Sequence, residues 1–487
     1  MIRPGREEFL RLCRIHPVVP VVREVGGDLF TPVSLYRRFG DEPDTFLLES
    51  VEDGSRWGRY SIMGRRPMLR FESRGDQVIM ESGGTVETAS GDVPGRLAGF
   101  LGRYAAGGFD YIPKFHCGLA GYFAYDYARC LERLPDDNPD RIGLPDCRLQ
   151  APGEVIVYDH LRCRMQIIVN CPADRGADGY EEALGRIERI REEILAAPDR
   201  LVPVADVPAE ADFVSSSTRE EYCGMVRKAI EHIRAGDIFQ VVLSQRFSAP
   251  YAGDPFLVYR ALRSVNPSPY LFCFRYADAT LVGASPEMLL RVEDGTVSTR
   301  PIAGTRPRGE TPERDAALAA ELLADEKERS EHFMLVDLAR NDVGRVSEFG
   351  SVRAAGICRV ERFSHVMHLV TDVEGRLRPD RSAVDALGAI LPAGTLSGAP
   401  KVRAMEIIDG LEPLRRGFYG GAAGYLGFDG GMDTCIAIRA AVIRNGSIHI
   451  QAGAGIVADS DPETEYEETR NKARALFASL GNVEEML

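Results

Sequence analysis

The chain has 487 residues, with 59 Lys plus Arg against 73 Asp plus Glu and a formal net charge of −14. Its 44% hydrophobic and 27% charged residues exclude a mostly disordered chain, and the length suits two or three domains, or one large core with an annex. The acidic balance excludes a broad nucleic-acid-binding surface, while a local basic pocket for a small anion stays compatible with it.

No apolar run reaches the ~20 residues needed to span a bilayer, so no membrane is expected. The N-terminus carries acids among its bases and no long apolar stretch, unlike a signal peptide. The ten cysteines, from Cys13 to Cys435, form no C-x-x-C pair. They read as buried free thiols in a reducing cytoplasm rather than as a zinc site.

Residues 18–172 are rich in short alternating segments. Met68–Ser73 with Gln77–Ser82, and Glu154–Tyr158 with Arg162–Asn170, predict antiparallel hairpins. Residues 173–217 hold a charged helix over Gly179–Ala197 and an aperiodic connector over Pro198–Ala211. From 218 to 482 helices alternate with strands. Thr218 and Glu221 form a capping box that opens a helix to Ala235. Ile238–Phe247 and Tyr270–Tyr276 predict strands, as do pieces of Leu281–Val292 around a Ser-Pro break. One long helical stretch is expected over Glu313–Asp342. Three late strands follow at Gly420–Asp429, Thr434–Arg444 and Ser447–Ala452, then a helix over Asp461–Leu480. This pattern predicts an α+β fold with large antiparallel sheets covered by helices.

Two separated helices each carry a carboxylate pair three residues apart: Glu328 with Glu331, and Glu465 with Glu468. Residues at that spacing share a helix face. A capping box of Ser460 and Glu463, with Pro462 in the first turn, is expected to start the second helix. Were the helices to converge, four carboxylates would surround one point and call for a hard cation such as Mg²⁺; two solvated acidic faces are the plainer alternative. Gln451–Val457 ends a strand in small residues that would let backbone N–H groups approach an anion, with Lys472 further along. Pro392–Lys401 looks phosphate-friendly but fails the P-loop pattern, because Lys401 follows Pro400 and precedes Val402. Gly420–Tyr425 lacks a dinucleotide fingerprint, and close sheet packing explains it. His365-x-x-His368 has no third ligand nearby, so a hydrogen-bonding His is the simpler reading.

In order along the chain, these segments closely resemble the chorismate-utilising enzymes, and among them the anthranilate synthase component I family. The motifs are Gly236–Gln245, Ser285-Pro286-Glu287, Arg300–Arg306, Glu331–Asp342, Val366–Val370, Pro392–Lys401, Arg416–Gly421, Ala437–Arg439 and Gln451–Lys472. The resemblance implies an N-terminal regulatory region (18–172) packed on a chorismate-binding region (218–482). It implies Mg²⁺ held by Glu331 and Glu468, with Glu328 and Glu465 acting through water. Tyr419, Arg439, Lys472 and the amides of Gly453 and Gly455 would hold substrate carboxylates, with Thr305 and Thr395 hydrogen-bonding in the site. Glu287 would be the general acid for amination at ring C2 with loss of the C4 hydroxyl, and His368 would assist the elimination. Water-using relatives carry a Lys base where Gln240 stands, and aminodeoxychorismate synthase a Lys nucleophile where Ala303 stands. Both departures favour ammonia and an anthranilate product.

Leu47-Leu48-Glu49-Ser50 and Asn266-Pro267-Ser268-Pro269-Tyr270 resemble the family's tryptophan-binding segments. They imply feedback inhibition by L-tryptophan at Leu48, Glu49, Ser50, Pro269 and Tyr270. No glutaminase-like Gly-x-Cys-x-Gly segment is present, so a separate glutamine amidotransferase subunit, and hence a hetero-oligomer, is expected. Aminodeoxychorismate synthase component I, and a tryptophan-binding regulator without catalysis, are the alternatives.

Overall fold

A computed structural model describes residues 2–39, 42–50, 58–112, 115, 117–196, 208–362 and 366–481. Trp57, His365 and connector residues 198–207 lie outside the described residues. The strands build two large antiparallel sheets joined by two long strands, Tyr60–Arg74 and Cys147–Asp159, which pair with each other along most of their length. A register shift at Pro67/Leu69 divides the pair, and each strand passes there from one sheet to the other.

In the first sheet the early half of Tyr60–Arg74 pairs with Thr45–Glu49. That strand pairs with Tyr270–Arg275, then come Ala279–Ser285, Ala440–Arg444, Ser447–Ile456 and Gln240–Pro250. In the second sheet the early half of Cys147–Asp159 pairs with Gly118–Phe123. Next lie Ala422–Gly427, Met432–Ile436, Met288–Glu293, Thr296–Thr299 and Val366–Arg376. Ile302–Pro307 and Arg353–Arg362 pair with Val366–Arg376. Early strands thus lie directly beside much later ones in each sheet.

Helices cover the sheets where their apolar stripes dictate. Thr218 caps Arg219–Ala235 with a reciprocal bond from Glu221, and Gly236 ends it at φ +83. Ala473, Leu476 and Leu480 of the helix Pro462–Gly481 are buried in the core, each large side chain contributing ~1.5–3 kcal/mol. No helix among the described residues is long and apolar enough to cross a membrane. All ten cysteines are free, and Cys163, at a hairpin turn, is exposed rather than buried.

Several expected boundaries shift for local reasons. The stretch 313–342 is two helices, Pro312–Ala324 and Glu326–Gly344. Asp325 breaks it by accepting hydrogen bonds from the Lys327 and Glu328 amides. The Thr434–Arg444 strand is also two, Met432–Ile436 and Ala440–Arg444, parted where Arg439 sits at φ +49. The final helix is capped by Asp461, which accepts from the Thr464 amide at 2.9 Å. Ser460 instead accepts from the Val457 amide, and Glu463 pairs with Arg219.

Candidate functional site

Three breaks in regular structure set the site. The first is a bulge in Ile302–Pro307 between Ala303 and Thr305. Gly304 sits there at φ +67, and a Cβ on it would come within 3.1 Å of Glu328 Oε2. The bulge turns the Gly304 carbonyl onto His368 Nδ1 at 2.8 Å, with Thr305 Oγ1 3.1 Å from the same nitrogen. A carbonyl only accepts, so Nδ1 carries the proton and the neutral ring has its lone pair on Nε2. Burial holds the His368 pKa down, so the neutral form dominates near pH 7.

The second break is the left-handed residue Arg439, a conformation costly for a side chain this large. It presents a buried guanidinium close enough to Glu287 for each to act on the other's charge. Glu287 accepts a hydrogen bond from Thr395 Oγ1 at 3.2 Å. Burial dominates its environment. The carboxyl is pushed up to about 8, even though Thr395, Arg439 and Lys472 all pull it down. Glu287 is therefore mostly a neutral acid at pH 7.

The third is the end of the Ser447–Ile456 strand. The sequence reading placed Gly453 and Gly455 beyond the strand, but they lie within it, opposite Ser244 and Val242. Past Ile450 this strand has a partner on one side only, because Ala440–Arg444 pairs no further than Ile450. Lys472 Nζ donates to the Gly453 carbonyl at 2.9 Å from the open side. The N–H groups of Gly453 and Gly455 point the same way. Gly453 must be bare, since a Cβ would stand 2.8 Å from the Tyr419 hydroxyl and 2.9 Å from the Leu243 carbonyl; at Gly455 a Cβ would stand 2.8 Å from Gln240 Nε2 and displace that side chain.

His368, Arg439 and Lys472 line a cleft of about 800 Å³, together with Pro286 and Glu468. Asn266–Pro269 forms part of the wall. Glu287 and Thr395 line a separate cavity of about 40 Å³. Lys401 of the Pro392–Lys401 segment is turned away from the cleft and buried on Asp342 at 2.7 Å.

The two acidic helices converge. The Glu331 carboxyl is pushed up by burial, then by the charges of Glu328 and Glu468; Glu465 is raised by burial and by Glu468. Glu468 pairs with Lys472 at 2.7 Å and Glu328 with Arg306 at 3.2 Å. Among the described residues no group of three His, Cys, Asp or Glu side chains is placed to hold a metal ion. The donor set still fits a hard divalent cation: it is all carboxylate, and its mutual repulsion is of the sign such an ion reverses.

At the second predicted site, Leu48 and Glu49 pair with Phe272 and Leu271, one step from Tyr270. Glu49 is buried and accepts from Ser61 Oγ at 3.0 Å, from Arg263 Nε at 2.9 Å and from the Tyr259 hydroxyl. Among the described residues, Ser50 Oγ is buried without a hydrogen-bond partner. Tyr270 donates to Asp433, and Pro269 lies on the cleft wall. Sequence reasoning placed Arg416 in a motif but gave it no task. It is buried on Glu412 directly behind Tyr419.

A sheet-built cleft that couples a neutral buried acid, a fixed arginine and a ring of carboxylates defines a class of enzyme acting on a small carboxylate. The chain belongs to the chorismate binding enzyme family, whose model matches residues 52–478. It is 48% identical to anthranilate synthase component 1 of Acetivibrio thermocellus over 99% of both chains, and 49% identical to that of Pseudomonas putida, also over 99% of both. The crystal structure of anthranilate synthase component I from Streptococcus pneumoniae TIGR4 superposes with a TM-score of 0.78 at 38% identity, covering 93% of this chain and 99% of that one.

Proposed function

We propose that this chain is an anthranilate synthase large subunit. It converts chorismate and ammonia to anthranilate, pyruvate and water, in the cytoplasm and in tryptophan biosynthesis. The observation that carries this reading is the buried, neutral Glu287 beside Arg439 and Lys472. Amination at C2 must expel the C4 hydroxyl, a poor leaving group, and Glu287 gives it a proton so that it departs as water while the ring double bonds shift. Tyr419, Arg439, Lys472 and the amides of Gly453 and Gly455 orient the enolpyruvyl carboxylate, the arginine by its planar fork. Thr395 holds the acid in place. His368, with its proton fixed on Nδ1, offers Nε2 to the C2 proton as pyruvate leaves and the ring becomes aromatic. Glu331 and Glu468, with Glu328 and Glu465 through water, would hold Mg²⁺, which when bound neutralises the ring carboxylate. Gln240 has no basic lone pair to activate water, and Ala303 offers no nucleophile; both suit direct attack by ammonia.

The ammonia comes from a glutamine amidotransferase partner. L-Tryptophan inhibits by binding at Leu48, Glu49, Ser50, Pro269 and Tyr270. The Ser50 hydroxyl, without a partner among the described residues, supports this, and so does the position of Asn266–Pro269 as both site segment and cleft wall. A ligand that fixes this wall shifts the population away from the form that binds substrate.

Incubation with chorismate, Mg²⁺ and ammonium should produce anthranilate fluorescence. A 4-amino product alone would point to aminodeoxychorismate synthase, and tryptophan binding without turnover to a regulator.

A further inference from the structure

We infer that Arg416, held by Glu412, is a positioning residue that sets the geometry of the substrate-carboxylate site without touching the reacting atoms. The inference rests on the chorismate reading of the cleft.

The guanidinium is buried and spends four hydrogen bonds on three separate stretches of chain. Nε and Nη2 donate to Glu412 at 3.0 and 2.6 Å, Nη1 to the Leu396 carbonyl at 2.6 Å, and Nη2 also to the Val242 carbonyl at 2.6 Å. Leu396 follows Thr395, which holds Glu287. Val242 lies two residues from Gln240 and opposite Gly455. The guanidinium carbon also lies 4.6 Å from the Tyr125 ring centre and 5.7 Å from that of Tyr419, whose hydroxyl stands 2.8 Å from where a Cβ on Gly453 would be.

Glu412 extends the unit to a further stretch. It accepts from the Ser244 amide at 2.7 Å and the Ser244 hydroxyl at 2.9 Å. Ser244 Oγ in turn receives Gln451 Nε2 at 2.8 Å, two residues before Gly453. One charged pair thus fastens the Thr395 turn, the Gln240 strand, the Gly453 strand and the Tyr419 ring at fixed relative positions. A planar five-donor fork meets these directions at once; an ammonium ion cannot. Small displacements of positioned groups cost large factors in turnover, so the pair should register in substrate affinity.

The test compares Arg416→Lys and Glu412→Gln with the parent chain, following circular dichroism, the thermal midpoint, and KM for chorismate and for ammonium separately. Folded variants should show a chorismate KM raised tenfold or more, with the ammonium KM changed less than twofold. Unchanged chorismate KM with a lowered midpoint would overturn the inference, leaving the pair as core structure. Loss of the folded state in both variants would overturn it too. A parent chain that forms no anthranilate fails the functional reading instead, and the inference is then read from chorismate binding by calorimetry. Tenfold weaker binding in the variants supports it; equal binding, or none in the parent, overturns it.

Discussion

Glu49 and Glu287 are both buried carboxyl groups, and the chain treats them in opposite ways. Glu49 is surrounded by donors from Ser61, Tyr259 and Arg263, the set of partners that stabilises an anion inside a protein. The Glu287 carboxyl receives one hydrogen bond among the described residues, from Thr395, and burial lifts it to about 8. The first is a carboxyl fastened by three donor side chains and the second a stored proton. Residue type and burial alone do not separate the two; the number of donors does.

The comparison can be broken by mutation, beginning with the groups beside Glu287. Glu331→Ala or Glu468→Ala should lower Mg²⁺-dependent turnover by more than ~10³-fold with the fold intact, since each is proposed as a direct ligand. Retained Mg²⁺ dependence would sink the metal assignment. Glu287→Gln should cost ~10²–10⁴-fold in kcat, the range for loss of a general acid. The parent's kcat/KM should fall above about pH 8, where Glu287 ionises, and the variant should lack that limb. Stability gives a second check. The folded chain binds the Glu287 proton more tightly than the unfolded chain does, so stability falls as pH rises from the ordinary carboxylate range toward about 8. Thermal melts of Glu287→Gln should show a weaker decline over that window.

Glu49→Gln should do the reverse. It should destabilise by ~2–4 kcal/mol by urea titration, because Arg263 loses its buried counter-charge, while uninhibited turnover stays within about twofold. The smallest effect on turnover is expected for Ser50→Phe, which should leave kcat near the parent value and relieve tryptophan inhibition. Full inhibition in that variant would remove Ser50 from the regulatory site.

Much of this was legible where a local signal is strong. The capping box at Thr218 fixed the start of one helix, and the alternating segments Met68–Ser73 and Gln77–Ser82 fixed one hairpin. The acidic helices were visible from three-residue spacing, but their convergence depends on long-range packing that spacing does not encode. The break at Asp325 was hidden because Ala-Glu-Leu-Leu-Ala-Asp-Glu-Lys reads as continuous helix until the aspartate's side chain is seen to bind the next turn. The break at Arg439 was hidden more deeply. Val, Ile and Ala surround it and favour a strand, and only tertiary packing holds an arginine at positive φ. Arg416 was invisible as a positioning group, since nothing local shows that Leu396 and Val242 converge on it.

The pairing of early with late strands has a consequence for how the polypeptide must be made and kept. Residues 45–49 are laced to 270–275, and 118–123 to 422–427. A single proteolytic nick between 196 and 208 should leave both fragments travelling as one particle on a sizing column. Synthesis of the C-terminal piece alone would instead leave two naked rims of unpaired amides, prone to clumping. These early strands therefore wait for partners that are made only in the second half of synthesis.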